Sequence, residues 1–266
     1  MGVQNRVKKI KRIVNINNLP RLWLFIAILI LGICGQTAQA DNLKVLPFAL
    51  FERSGKSLIV DGVSTKYALG VLGIRADLTF QERWHLSGKL GYGQSDNQTV
   101  EFSGAVFEGQ VKGIYLQGGA QYNFLETPKY DLFGLLNFIN RDLQASDLIG
   151  TRNGMALTGS SNTKFNSKDL TFGTRHKIGR DFAVSFSGGV SQWHLKSKAI
   201  ANYSSGRITA TATKNIYTTG QDPIYKIGMS MKKLSHNLNI ELSQRLLSSQ
   251  ISSNIATVQI DYQFKF

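Results

Sequence analysis

Cysteine is all but missing from this chain: Cys34 is the only one in 266 residues. A single thiol cannot close a disulfide or build a thiolate metal centre. Proline is also scarce, at 4 residues. It lacks the N–H that a sheet ladder needs, so its rarity suits a chain made of strands. Beyond residue 40 no apolar run approaches the ~20 residues of a membrane-crossing helix. There is no glycine-rich phosphate loop passing from a strand into a helix, and no carboxylate–histidine cluster with metal-ligand spacing. These absences exclude disulfide scaffolds, helical membrane proteins and nucleotide-binding α/β folds, and they imply no cofactor and no bound metal.

Acidic residues are outnumbered, 17 to 31, for a formal charge of +14. Such an excess first suggests nucleic acid or anionic lipid as a partner. Its distribution argues against nucleic acid. Arg6, Lys8, Lys9, Lys11, Arg12 and Arg21 carry six of the fourteen charges and lie in the first 40 residues, which hold no acid. The remaining +8 is spread along the chain, with no basic run beyond Lys232-Lys233.

Those first residues have their own grammar. The basic segment precedes the apolar run Leu22-Trp23-Leu24-Phe25-Ile26-Ala27-Ile28-Leu29-Ile30-Leu31, and Ala38-Gln39-Ala40 follows before Asp41. This is the three-part pattern of a secretory signal with a small-x-small cleavage site. An uncleaved anchor would need a longer apolar stretch than Leu22 to Cys34. Residues 1–40 are thus expected to be a cleaved signal peptide, and residues 41–266 the mature domain.

The mature chain is written in period two. In the last segment Val258, Ile260, Tyr262, Phe264 and Phe266 alternate with Thr257, Gln259, Asp261, Gln263 and Lys265. Successive side chains of a strand point to opposite faces, so such a strand has one greasy and one wet side. Leu72-x-Ile74-x-Ala76-x-Leu78-x-Phe80, Trp84-x-Leu86-x-Gly88-x-Leu90-x-Tyr92, Tyr225-x-Ile227-x-Met229-x-Met231 and Leu238-x-Ile240-x-Leu242 repeat the pattern. Short connections, such as Gln81-Glu82-Arg83 and Glu126-Thr127-Pro128, alternate with long ones at residues 94–110, 141–165 and 196–221. Aromatics flank the short turns, Phe80 with Trp84 and Phe124 with Tyr130. A soluble barrel would also alternate, but its greasy face points inward toward a core; here the polar face carries charges on most strands and the apolar face ends in aromatics at the turns.

Together with the terminal Tyr262-x-Phe264-x-Phe266, this pattern resembles the outer-membrane β-barrel class of Gram-negative bacteria, in which the last aromatics act as an assembly signal. The resemblance covers residues 41–266 in pattern and implies an all-β, transmembrane, antiparallel up-and-down barrel. It also implies short periplasmic turns, long outer loops and an even strand number. The spans 43–53, 66–80, 84–94, 111–125, 129–140, 166–177, 181–197, 222–233, 237–247 and 254–266 make about ten strands, with eight and twelve as neighbouring counts. Segments 99–107 and 206–219 read as hairpin extensions above the membrane. Implied partners are outer-membrane lipid, the barrel assembly machinery, and a small solute or extracellular ligand of unknown identity.

The alternation assigns Arg75, Asp77, Lys89, Asp131, Asp169, Arg175, Lys226, Glu241, Arg245 and Asp261 to the lumen, where opposite charges would brace the wall or line a narrow conduit. Inward Gly73, Gly91, Gly173, Gly189 and Gly228 would leave space for water. Outer-membrane hydrolases carry histidine with serine or acid at the outer rim. Here only His194 is near that rim, and no acid is local to it, so no catalytic residue is assigned. The leading expectation is a small porin-like barrel with a charged lumen. A surface-interaction barrel acting through its outer loops and an outer-membrane hydrolase are the alternatives. The leader makes one direct prediction: amino-terminal sequencing of the membrane-inserted protein should begin at Asp41, and a retained leader or a lipid on Cys34 would refute it.

Overall fold

The computed structural model describes residues 42–264, apart from 55–57, 61, 62, 67, 96, 97, 103, 206, 207, 234, 235 and 248–252. The leader and Phe266 therefore lie outside the described residues. In chain order the strands are β1 (Asn42–Ser54), β2 (Leu58–Val60), β3 (Val63–Lys66), β4 (Ala68–Phe80), β5 (Trp84–Ser95), β6 (Gln98–Phe102) and β7 (Ala105–Gly109). They continue with β8 (Lys112–Glu126), β9 (Tyr130–Arg152), β10 (Met155–Ile178), β11 (Phe182–Ser205), β12 (Ile208–Lys233), β13 (His236–Leu247) and β14 (Ser253–Phe264).

Ten of these close a barrel in the order β10-β11-β12-β13-β14-β1-β4-β5-β8-β9, with β9 returning to β10. All of its pairings are antiparallel. The closing seam joins the first and last strands, from Phe48 opposite Asp261 to Ser54 opposite Ile255. The four short strands add to the upper part of β9 in the order β7-β6-β3-β2.

The barrel is inside-out relative to a soluble protein. Outward Leu72 and Ile74 are 71% and 60% exposed, while inward Glu52, Asp169 and Trp193 are each 0% exposed. So much exposed apolar surface is unstable in water, and a bilayer is the solvent that accepts it. The lipid-facing run is about nine residues per strand, from Tyr130 to Phe138 on β9, Ile178 to Leu170 on β10 and Met231 to Pro223 on β12, which matches a tilted transmembrane strand. At the short-turn end, ring contacts of 4.7 Å (Trp84–Tyr122), 5.3 Å (Tyr122–Phe124) and 6.3 Å (Phe124–Phe172) run around the wall. This is where aromatic side chains anchor at the lipid–water boundary.

Two regions depart from the expected spans. Residues 141–165 are not a loop: β9 and β10 run on for 23 and 24 residues and meet at a two-residue turn. That turn is Asn153-Gly154, with φ of 50° and 78°, the left-handed pair that lets a tight hairpin follow strand twist. Likewise β11 and β12 extend to 24 and 26 residues. In β9 the register shifts opposite Gly159 and Ser161. The extra residue of this bulge moves the inward set from Arg141 and Ala145 to Leu148 and Gly150.

The inward glycines do not hold water space, contrary to expectation. Gly73 and Gly91 are register partners, and a Cβ on Gly73 would come within 2.7 Å of the Phe48 ring. A Cβ on Gly173 would come within 2.8 Å of the Phe133 ring. Gly73, Gly91 and Gly173 are sockets into which inward aromatics fit; at Gly189 the near neighbour is the backbone of β10, and at Gly228 it is the Ser185 side chain. Phe48→Ala should empty its socket and cost about 3–5 kcal/mol, the usual range for a buried phenylalanine; urea unfolding in lipid vesicles measures this.

Candidate functional site

The lumen is where this fold concentrates its chemistry. Period two alone delivers a side chain to it from every second position of each barrel strand. From β1 these are Leu46, Phe48, Leu50, Glu52 and Ser54, all buried. The lumen thus receives apolar as well as charged groups, and the two sort into levels.

Toward the short turns, Lys177 meets Asp131 at 2.6 Å, and the Arg175 guanidinium lies over the Phe133 ring at 5.9 Å. His85 there contacts Thr79 Oγ1 at 3.2 Å and Asn123 Nδ2 at 3.0 Å. In the middle, Arg75 donates to Asp77 at 2.7 Å and also pairs with Asp261. Lys89 donates to Gln259 at 2.5 Å, and Gln259 donates onward to Asp261 at 2.7 Å. Lys226 lies 3.3 Å from Glu241. All ten charged side chains assigned to the lumen from the sequence are therefore at these levels or just above them.

The level above holds residues that the sequence reading did not single out. Arg141 on β9 reaches across to Glu52 on β1 at 2.5 Å, and Thr257 on β14 donates to the other Glu52 oxygen at 3.2 Å. The Arg141 guanidinium lies between the rings of Tyr115 (5.7 Å) and Phe165 (5.0 Å). Arg245 on β13 lies 5.6 Å from the same Phe165 ring. It donates to Asp169 at 2.7 Å, Ser191 at 2.8 Å and Ser167 at 3.2 Å. Phe165 also stacks on Trp193 at 6.5 Å and 15°, and the Trp193 indole N–H donates to Asp222 at 2.8 Å. Leu247 and Ile255 complete this apolar cluster.

The physical logic is charge burial. A guanidinium or carboxylate removed from water is costly unless paired and hydrogen-bonded. Most ions here have a counter-ion, Lys89 donates to the Gln259 amide instead, and the aromatic faces add a cation–π attraction where water is excluded. The Glu52–Arg141 pair ties β1 to β9, and Arg245–Asp169 ties β13 to β10, so the layer braces strands that are not neighbours. Arg141 and Phe165 were missed because they fall at the ends of segments read as a loop. The signal was present: Phe165-x-Ser167-x-Asp169-x-Thr171 continues the inward series of β10 upward.

The histidines are dispersed. His194 lies on the outward face of β11, opposite Asn166 and Thr219. His176 is on the lipid-facing side of β10, with Thr174 Oγ1 at 3.4 Å. His236 begins β13, and its side chain lies outside the described set. Among the described residues no group of three His, Cys, Asp or Glu side chains is placed to hold a metal ion. Of the carboxyl-terminal aromatics, Tyr262 faces outward and is half-exposed. The backbone of Phe264 ends β14 opposite His236.

Comparison with solved structures places this architecture. The chain is similar to the outer membrane protease OmpT of Escherichia coli, with a TM-score of 0.54 and 7% identity over 87% of this chain and 99% of that one. The translocator domain of the autotransporter NalP of Neisseria meningitidis gives 0.49 and 13% over 89% and 93%. The attachment invasion locus protein Ail of Yersinia pestis gives 0.34 and 11% over 84% and 97%. No protein-family model and no curated protein matches the sequence. At 7% identity the likeness to OmpT is one of fold, the closed antiparallel barrel of the bacterial outer membrane, and the lipid-facing belt agrees with that location.

The buried pair gives a test of the lumen. Arg141→Met leaves the Glu52 carboxylate buried without its counter-ion and should cost roughly 3–5 kcal/mol. Adding Glu52→Leu should restore most of that loss, because two apolar groups of similar volume need no partner. Urea unfolding of both variants in vesicles, followed by the fluorescence of buried Trp193, separates the two results.

Proposed function

We propose that this outer-membrane barrel is a closed-lumen protein that displays a folded sheet outside the cell and acts through that sheet as a surface-interaction module. The observation that carries the reading is length. β9 to β12 have 23, 24, 24 and 26 residues, more than twice the ~9–11 that cross a membrane. The excess is organised rather than loose. Ala105, Phe107, Val111, Ala145, Leu148, Leu157 and Ile216 form a buried cluster, so the protruding part has a small core of its own. The β2–β3 and β6–β7 hairpins broaden it through β9.

One margin of this sheet has no partner among the described strands. β13 pairs with β12 only from Ile224 to Lys233. Over the preceding residues of β12, β11 is the partner among the described strands. A free edge offers backbone N–H and C=O groups to an incoming extended chain, the commonest mode of peptide capture by sheets.

A porin-like conduit is the second reading, and the charged middle level of the lumen favours it. What weighs against an open path is the level above, where Phe165, Trp193, Tyr115 and the Glu52–Arg141 pair are all buried. A rim hydrolase has less support, since His194 faces outward with no carboxylate opposite it.

Planar bilayers and cell binding test the proposal together. The intact protein should show no resolvable conductance, whereas Phe165→Ala with Trp193→Ala should produce steps. Replacing residues 144–162 by a short turn should leave a heat-modifiable, inserted barrel that has lost its attachment to protein-coated surfaces. Steady conductance from the intact barrel, with attachment untouched by the deletion, would favour the conduit instead.

A further inference from the structure

The outward face of the tall wall changes character over one row. On β10 to β12 the lipid-facing belt ends at Leu170, Val190 and Pro223, and on β9 it runs one row higher, to Phe138. Register then sets the next outward side chains in rows. Phe138, Lys168, Gln192 and Gln221 share the first row. Asn140, Asn166, His194 and Thr219 share the second, and Asp142, Lys164, Lys196 and Tyr217 the third. Gln144, Asn162, Lys198 and Asn215 share the fourth.

Four lysines thus meet one carboxylate on this face. Asp142 is engaged by Lys164 at 3.0 Å, while Lys168, Lys196 and Lys198 are exposed. Lys164 and Lys196 stand directly opposite each other, and like charges in that position repel. Cations outnumber anions four to one in these rows, and the arrangement begins at the row where hydrocarbon gives way to headgroups.

We infer that this lysine face binds the phosphate-bearing headgroups of lipids in the outer leaflet. Its position selects the partner. A side chain one row above the belt lies ~7 Å beyond it along the strand, within the headgroup layer, and Lys168 can keep its stem on the apolar belt while its ammonium reaches phosphate. Lys196 and Lys198 stand two and three rows higher, so the face would follow a headgroup that rises well above the acyl chains. An attraction of this kind is worth about fivefold in lipid occupancy per lysine at low salt and weakens as salt screens it.

The test uses the full-length protein in nanodiscs of phosphatidylcholine doped with phosphatidylglycerol or with a phosphorylated glycolipid. Native mass spectrometry then counts the lipids that stay bound. The anionic lipid should be enriched over the neutral one, and the enrichment should fall with salt. Lys164→Gln, Lys168→Gln, Lys196→Gln and Lys198→Gln combined should abolish most of it, and gel mobility should show the variant still folded. Arg53→Gln, on strand β1 away from this wall, should leave it intact. Equal enrichment in the fourfold variant, or equal loss in the Arg53→Gln control, would overturn the inference. So would displacement of the lipid by millimolar inorganic phosphate, which would make this a site for free phosphate. Salt-independent enrichment in the unaltered protein would overturn it without any variant.

Discussion

In hydrocarbon there is no water to satisfy a free backbone N–H or C=O, so a sheet that crosses a bilayer must leave no edge. Everything else in this protein depends on that closure. The seam between β1 and β14 is where it is achieved, seven residues deep on each strand. The strand number, the antiparallel order and the return of both ends to one side follow from it. Once the sheet is closed, each strand's alternate side chains have only two destinations, lipid or lumen, and period two becomes the single rule that sorts them.

The lumen shows what that rule costs and how the chain offsets it. Ten strands enclose more space than small side chains can fill, yet too little for free water around every charge. The interior therefore pairs most of its ions and fits its aromatics into glycine sockets, Phe48 at Gly73 and Gly91, Phe133 at Gly173. Phe165 links two guanidinium groups that would otherwise repel, and each of these has a carboxylate on another strand. The same contacts that neutralise charge also brace the wall, and the small-looking glycine positions are filled by rings from neighbouring strands.

Above the membrane the constraint is lifted and the sheet behaves as a soluble one. Five barrel strands, β13, β14, β1, β4 and β5, are of 12 or 13 residues, while β9 to β12 continue. The bulge in β9 keeps apolar side chains directed to the inner cluster as the sheet rises. Among the described strands β12 has only β11 as partner before Ile224; water can satisfy such a margin above the rim, as hydrocarbon within the belt could not.

Much of this was legible in the sequence, for a definite reason. Membrane barrel strands encode their location locally: Val258-x-Ile260-x-Tyr262 and Leu72-x-Ile74 state which face meets lipid, because no distant residue alters the choice between two sides. The ten strands and the inward direction of the charged set are products of that local code. Three things were not legible. The long strands were concealed because Thr and Ala positions such as 209–213 and the polar residues of 141–165 look like loop once lipid no longer demands large apolar side chains, although Asn153-Gly154 marked the turn. The use of the glycines was concealed because the ring that fills a socket comes from another strand. The Glu52–Arg141 and Arg245–Asp169 pairs were concealed because they join side chains 89 and 76 residues apart. The sequence by itself determined which face each strand shows to the membrane, since that is decided by single side chains against one solvent. Only the closed tertiary structure decided which inward groups meet, because partner choice across a lumen depends on the register and shear of every strand between them.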